Sequence, residues 1–164
     1  MSVDARAFRH TVGQFATGVT VIATETDGSV RAMTANAFSS LSLDPPLVLF
    51  CVGKDAQLAQ AIRAANDFSV SILGQDQQQL STYFAGAWQD PLPPPFSFAS
   101  WEGGHRLGGC VAALRCEVET IHEGGDHWIV IGRVLALYRS EPARAPLVFC
   151  AGRYASLGEL AEVP

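Results

Sequence analysis

The chain has 164 residues, of which 48% are hydrophobic and 16% charged. That is the size of one domain, spanning residues 1–164, and it is too apolar for a disordered chain. A formal net charge of −5 argues against a basic surface that tracks nucleic-acid phosphates, so no nucleic-acid partner is expected.

No apolar run approaches the roughly 20 residues of a bilayer span. The first residues lack a basic head followed by an apolar stretch, so a cytoplasmic protein without a membrane partner is expected. Cys51, Cys110, Cys116 and Cys150 include no CxxC spacing and sit in or beside apolar stretches. Reduced, buried thiols and no metal site are the expectation. Lys54 is the sole lysine.

Asp4 can cap a first helix in which Phe8, Val12 and Phe15 recur on one face, and Gly18 would end it. Residues 19–26, rich in Val, Ile and Thr, read as a strand. Asp27-Gly28 signals a hairpin turn into a second strand over residues 29–38. Asp44-Pro45-Pro46 forces a stiff corner. Residues 47–52 form an apolar run, expected to be a strand buried on both faces. Asp55 can cap a short helix with Leu58 and Ile62 on one face. A strand at residues 68–73 and a helix at residues 76–84 follow. Residues 85–109, with the run PLPPP, read as a long irregular loop.

Residues 111–123 alternate, with Leu114, Cys116 and Val118 facing inward and Arg115, Glu117 and Glu119 facing solvent. After Gly124-Gly125-Asp126, residues 128–138 are apolar on both faces, which suggests a subunit interface. A short strand at residues 147–150 comes last. Hairpin connections without β-α alternation make a closed antiparallel barrel the economical fold, because closure removes edge strands.

Three segments could carry chemistry. The run Thr34-Ala35-Asn36-Ala37-Phe38-Ser39-Ser40-Leu41-Ser42 is either an ordinary polar loop or a set of hydroxyls, an amide and backbone N–H groups for a phosphate or a heterocycle edge. Gly53-Lys54-Asp55-Ala56-Gln57 takes a strand into a helix start; it is either a capped helix with a solvated lysine or an anion site. Gly124-Gly125-Asp126-His127 is either a tight turn or a turn that sets a carboxylate and an imidazole at a hairpin mouth. There is no GxSxG, Walker loop, GxGxxG or HExxH.

Five segments in order resemble the flavin reductase family of small flavin-binding split-barrel proteins. They are FRHTVGQFATGVTVIAT, TANAFSSLSLDPPLVLFCVGK, FSVSILGQDQQQLSTYFA, GGDHWIVIGRV and PLVFCAGRYASL. The resemblance implies a mainly β fold: an antiparallel Greek-key split β-barrel of six or seven strands with two or three short helices. It implies a homodimer that transfers hydride from NADH or NADPH to FMN or FAD and supplies a partner flavin-dependent monooxygenase. It also implies that Thr34, Ala35, Asn36, Ser39, Ser40, Leu41 and Ser42, with Val52, Gly53 and Lys54, line the flavin. Ser40, Ser42 and Lys54 would lie near its phosphate or ribityl chain, and Phe84 and Ala85 near its ring or tail. His127, with Arg153 and Tyr154, would border the nicotinamide, His127 positioning its amide or shuttling a proton. Asp55 departs from the Ser or Thr of many relatives and is unexpected beside a phosphate. The alternatives are a protein that keeps its flavin and reduces a corrinoid, a quinone or a metal chelate, or a flavin-binding sensor or carrier.

Overall fold

The computed structural model describes residues 3–159. Seven of its strands form one antiparallel sheet. In chain order they are β2 (Thr20–Thr26), β3 (Ser29–Ala35), β4 (Phe38–Leu43), β5 (Pro46–Gly53), β6 (Asp67–Ile72), β9 (Ala112–Gly124) and β10 (His127–Arg139). Their spatial order is β3-β2-β6-β9-β10-β5-β4. The two edges, β3 and β4, are joined by Asn36 and Ala37 alone. Three chain steps reach at most about 11 Å, roughly two strand spacings. The sheet therefore rolls until its edges nearly meet, without a ladder between them. The barrel is split rather than closed.

Its interior is filled by Ile22, Val48, Phe50, Val52, Phe68, Val70 and Val130. The helix α2 (Gln57–Ala65) plugs it through Leu58, Ala59 and Ile62. A second cluster, with Val19, Val21, Leu73, Leu80 and Leu107, lies outside β2 and β6. It is covered by α3 (Gln78–Phe84), β8 (Gly104–Leu107) and a small sheet of β1 (Thr17–Gly18), β11 (Val148–Cys150) and β12 (Arg153–Ala155). So β2 and β6 are buried on both faces, while β5 buries only alternate residues and leaves Leu47, Leu49 and Cys51 half-exposed.

Several expectations need correction. The first helix, α1 (Ala5–Val12), stops at Gly13, whose N–H closes on the Arg9 carbonyl. None of its residues is buried, and Phe8 and Val12 stay exposed. Residues 38–43 are strand β4, not a loop, because their backbone pairs with β5. Asp55 caps nothing; the residue before α2 is Ala56, which has no side chain to do so. Residues 85–109 are not wholly irregular: β7 (Phe98–Trp101) and β8 form a hairpin. That hairpin covers Arg115, which is buried instead of solvated and reaches Asp67 Oδ2 at 2.7 Å. The outer apolar residues of β10, by contrast, are bare, with Leu135 57% and Leu137 74% exposed. No helix among the described residues is long and apolar enough to cross a membrane.

Candidate functional site

The split between β3 and β4 organises the polar segments. On one side of it lies a groove of ≈ 510 Å³ between α1 and the outer face of β4 and β5. Val12, Phe15, Phe38, Leu49 and Phe149 make its walls apolar, while Arg9, Thr17, Asn36 and Ser39 supply polar atoms. Thr17 Oγ1 is buried there without a hydrogen-bond partner. On the other side a second groove of ≈ 530 Å³ is lined by Arg31, Gln57, Leu58, Tyr83, Phe84 and Phe96. Its aromatic wall is a cluster in which the Phe84 and Phe96 centroids are 5.0 Å apart.

A hydrogen-bonded knot stands between the grooves. Tyr154 donates its hydroxyl to Ser81 Oγ at 2.8 Å, and Thr34 donates to the Ser81 carbonyl at 2.7 Å. It ties the edge strand β3 to α3 and β12. Ala35 is buried, and its carbonyl accepts from the Thr20 hydroxyl at 2.6 Å, which fixes the end of β3. Asn36 is left exposed at the split.

His127 pairs with Gly53 across the β5–β10 ladder, two residues along from the Cys51–Ile129 pair. Residues two apart on a strand share a face, about 7 Å apart. His127 therefore lies on the same face as Cys51 and Leu49, which line the first groove. Its Nδ1 is 2.8 Å from Asp126 Oδ1. That hydrogen bond, then the imidazole charge, holds the Asp126 carboxyl below the usual carboxylate range, and Arg9 adds a smaller push in the same direction. Arg9 is thus within electrostatic reach of Asp126 as well as in the groove.

The remaining sequence candidates scatter. Lys54 lies on the opposite face, with Trp128: its ammonium is 3.1 Å from Glu123 Oε1 and 4.9 Å from the Trp128 ring centroid. Arg63 stacks on the same ring at 4.0 Å. Val52 is buried in the barrel. Ser40 and Ser42 pair with Val48 and Leu47, with Leu41 bulged between them. From Leu47 to Gly53 is about 20 Å along β5. Within one chain Ser42 and Lys54 therefore stand at opposite ends of that strand and are not brought together. Ser39 lines the first groove, Phe84 the second, and Ala85 ends α3 in solvent. Arg153 is exposed beside Tyr154. Sequence reasoning missed Arg9, Thr17, Arg31 and Ser81. Ser81 alone left a trace, as a small polar residue beside Leu80 on the inward side of α3.

The description of the flavin reductase-like domain fits residues 12–158 of this chain. The chain belongs to the flavin reductase family. It is 41% identical over 156 residues to an NADH-dependent FAD reductase of Streptomyces globisporus, covering 92% of this chain and 85% of that one. It is 38% identical over 167 residues to the reductase subunit of a flavin-dependent monooxygenase from Rhodococcus jostii (strain RHA1), covering 99% and 83%. Among solved structures, the NADH:FAD oxidoreductase of Streptomyces globisporus C-1027, in complex with NAD and FAD fragments, gives a TM-score of 0.87. Its identity is 37%, over 99% of both chains.

The family's flavin fits the residues present. The first groove offers apolar walls and an orphaned hydroxyl, Thr17 Oγ1. The start of α2, at the second groove, has neither a side-chain cap nor an acidic residue in its first turn. The N–H groups of its first two residues and the positive dipole end suit a phosphate, against the opposing charge of Asp55 two residues upstream; the Ala59 N–H is already given to the Ala56 carbonyl.

Proposed function

We propose that this protein is an NADH-dependent flavin reductase that moves hydride from the reduced nicotinamide to FAD or FMN and supplies the reduced flavin to a partner flavin-dependent monooxygenase. The observation that carries the reading is the His127–Asp126 pair on the same sheet face as an apolar groove at the barrel's split. A bound flavin supplies the hydride-accepting ring. The chain's own part is to bind, orient and keep water out.

Thr34, Ala35 and Asn36 run along the unpaired edge of β3, where main-chain N–H and C=O groups can meet the polar edge of a flat heterocycle. Asp126 accepts from His127 Nδ1–H, which fixes the ring and leaves Nε2 for the nicotinamide amide. The open start of α2 takes the flavin phosphate, and Lys54 joins it by leaving Glu123. That exchange costs little, because Lys54 and Glu123 are partly exposed and such pairs contribute about 0–1 kcal/mol. Two chains assemble through the bare outer side of β10, where Leu135 and Leu137 lie in solvent.

Anaerobic stopped-flow absorbance tests the reading. Protein with FAD or FMN should bleach the flavin band when NADH is added. Flavin that binds yet stays oxidised for minutes with both NADH and NADPH would refute it.

A further inference from the structure

A depression of ≈ 650 Å³ lies between α1 and the turn that joins β11 to β12. Arg6, Arg9 and His10 line it, with the backbone of Ala151 and Gly152. Its one carboxylate, Asp4, is occupied at the start of α1, where it accepts from the Ala7 N–H at 2.8 Å. Arg9 and Gly13 also line the apolar groove, so the two hollows are continuous.

Elsewhere on this acidic chain most cations are engaged. Lys54, Arg115, Arg133 and Arg144 sit in ion pairs, and Arg63 and Arg106 lie over aromatic rings. Among the described residues Arg6 and Arg9 make neither contact. From Arg6 to His10 the cationic side of α1 runs about 6 Å at 1.5 Å per residue. Guanidinium groups offer paired N–H donors that match phosphate oxygens. An apolar slot for a flat ring, opening into a cationic hollow, has the polarity of an adenine dinucleotide: a ring at one end and an anionic diphosphate at the other.

We infer that this depression binds the diphosphate of an adenine dinucleotide, with Arg6 and Arg9 as positioning residues. The inference rests on the reductase reading and deepens it. Arg9, which bridges the two hollows and lies near Asp126, aligns the diphosphate with the ring held beside His127. The flavin phosphate is placed at the start of α2, on the other side of the split, so the dinucleotide in this hollow is NADH and FAD serves as the control.

ADP is the probe, titrated calorimetrically into the full-length protein. Saturable binding that weakens with added salt is expected, because exposed charges are screened. The Arg6→Ala/Arg9→Ala variant should bind ADP at least about tenfold more weakly, and Arg9→Lys should recover part of the loss in an Arg6 background. The melting temperature should hold, since α1 contributes no buried residue. FMN, which lacks the adenosine half, should bind as before. A higher KM for NADH in the double variant, with the Kd for FAD unchanged, supports the inference; a loss of FAD affinity instead overturns it, because the flavin phosphate belongs at the start of α2. No ADP binding to the wild type, unchanged ADP binding in the double variant, or an equal loss for FMN overturns it. If the wild type oxidises no reduced nicotinamide yet binds ADP through these arginines, the reductase reading fails while the site stands.

Discussion

Gly132→Ala tests the packing that holds β10, the strand that begins at His127. Gly132 lies in β10, at a register shift in the β9–β10 ladder. A Cβ there would stand 2.7 Å from Phe68 Cε1, closer still to Cζ, and 3.1 Å from the Cys116 Cβ. Phe68 is 1% exposed and meets Phe50 edge-on, with centroids 5.1 Å apart. The ring has nowhere to retreat, so either it leaves its rotamer or β10 moves out. Overpacking of this kind costs about 1–3 kcal/mol. For a chain of this length each kcal/mol lowers Tm by about 2–4 °C, so a fall of roughly 2–12 °C is expected. Phe68→Leu removes ring atoms at the collision, so the double variant should lose less than the sum of the two single losses. The assay is thermal unfolding of the four proteins, with flavin reduction measured well below every Tm. Since β10 begins at His127, backbone movement should also raise the KM for NADH. A single variant that melts within about 1 °C of wild type would refute the argument, as would strict additivity with Phe68→Leu.

Other outcomes follow from the same geometry. His127→Ala should raise the KM for NADH or slow hydride transfer by roughly two- to a hundredfold, the range of one positioning hydrogen bond, while flavin Kd and Tm hold. Unchanged kinetics in a flavin-replete variant would remove His127 from the site. Lys54→Ala should weaken FMN about tenfold more than riboflavin, and Glu123→Gln, which frees the ammonium, should tighten FMN; equal effects on both flavins would show that Lys54 does not read the phosphate. Burial pushes the Cys116 thiol from 9.0 up to about 12. Between those values the unfolded chain releases a proton that the folded one keeps, so stability falls as pH rises, by at most about 1.4 kcal/mol per pH unit. Denaturant titrations from pH 8 to about 10.5 should show that slope, and Cys116→Ala should flatten it.

The β-strands that bury one face declared themselves by alternation, as in Leu114, Cys116 and Val118 of β9. So did the hairpin turn at Asp27-Gly28, where both residues adopt positive φ. Burial that depends on a distant cover did not. Arg115 reads as solvated because nothing near it in the chain reveals the β7–β8 hairpin, whose strands are four residues each and follow a proline run. The serines of β4 lack strand propensity and are held by pairing with β5 instead. The turn before His127 could be read locally, and so could the presence of a helix after Gly53, though not its cap. The placing of Arg9 against β4 and β5 could not, because it needs α1 to fold back across the outer face of the sheet. Likewise Ser81 acquires its role only when β12 and β3 arrive from either end of the chain.

The two-residue step from β3 to β4 has a consequence for how the site tolerates change. Closing the barrel by pairing β3 with β4 would join their free edges; the Asn36-Ala37 bridge leaves those edges open. Recognition by main-chain groups is indifferent to which side chain each residue carries, so the exposed Asn36 and Ala37 should accept many substitutions with modest loss, whereas Thr34, bonded to Ser81, and the buried Ala35 should not. The bridge is intolerant of length instead. Adding or deleting one residue there would slide β4 against β5 and turn each of its side chains to the opposite face. The vulnerable property at this end of the barrel is therefore the count of residues, and an indel scan across the bridge would injure the protein where an alanine scan would not.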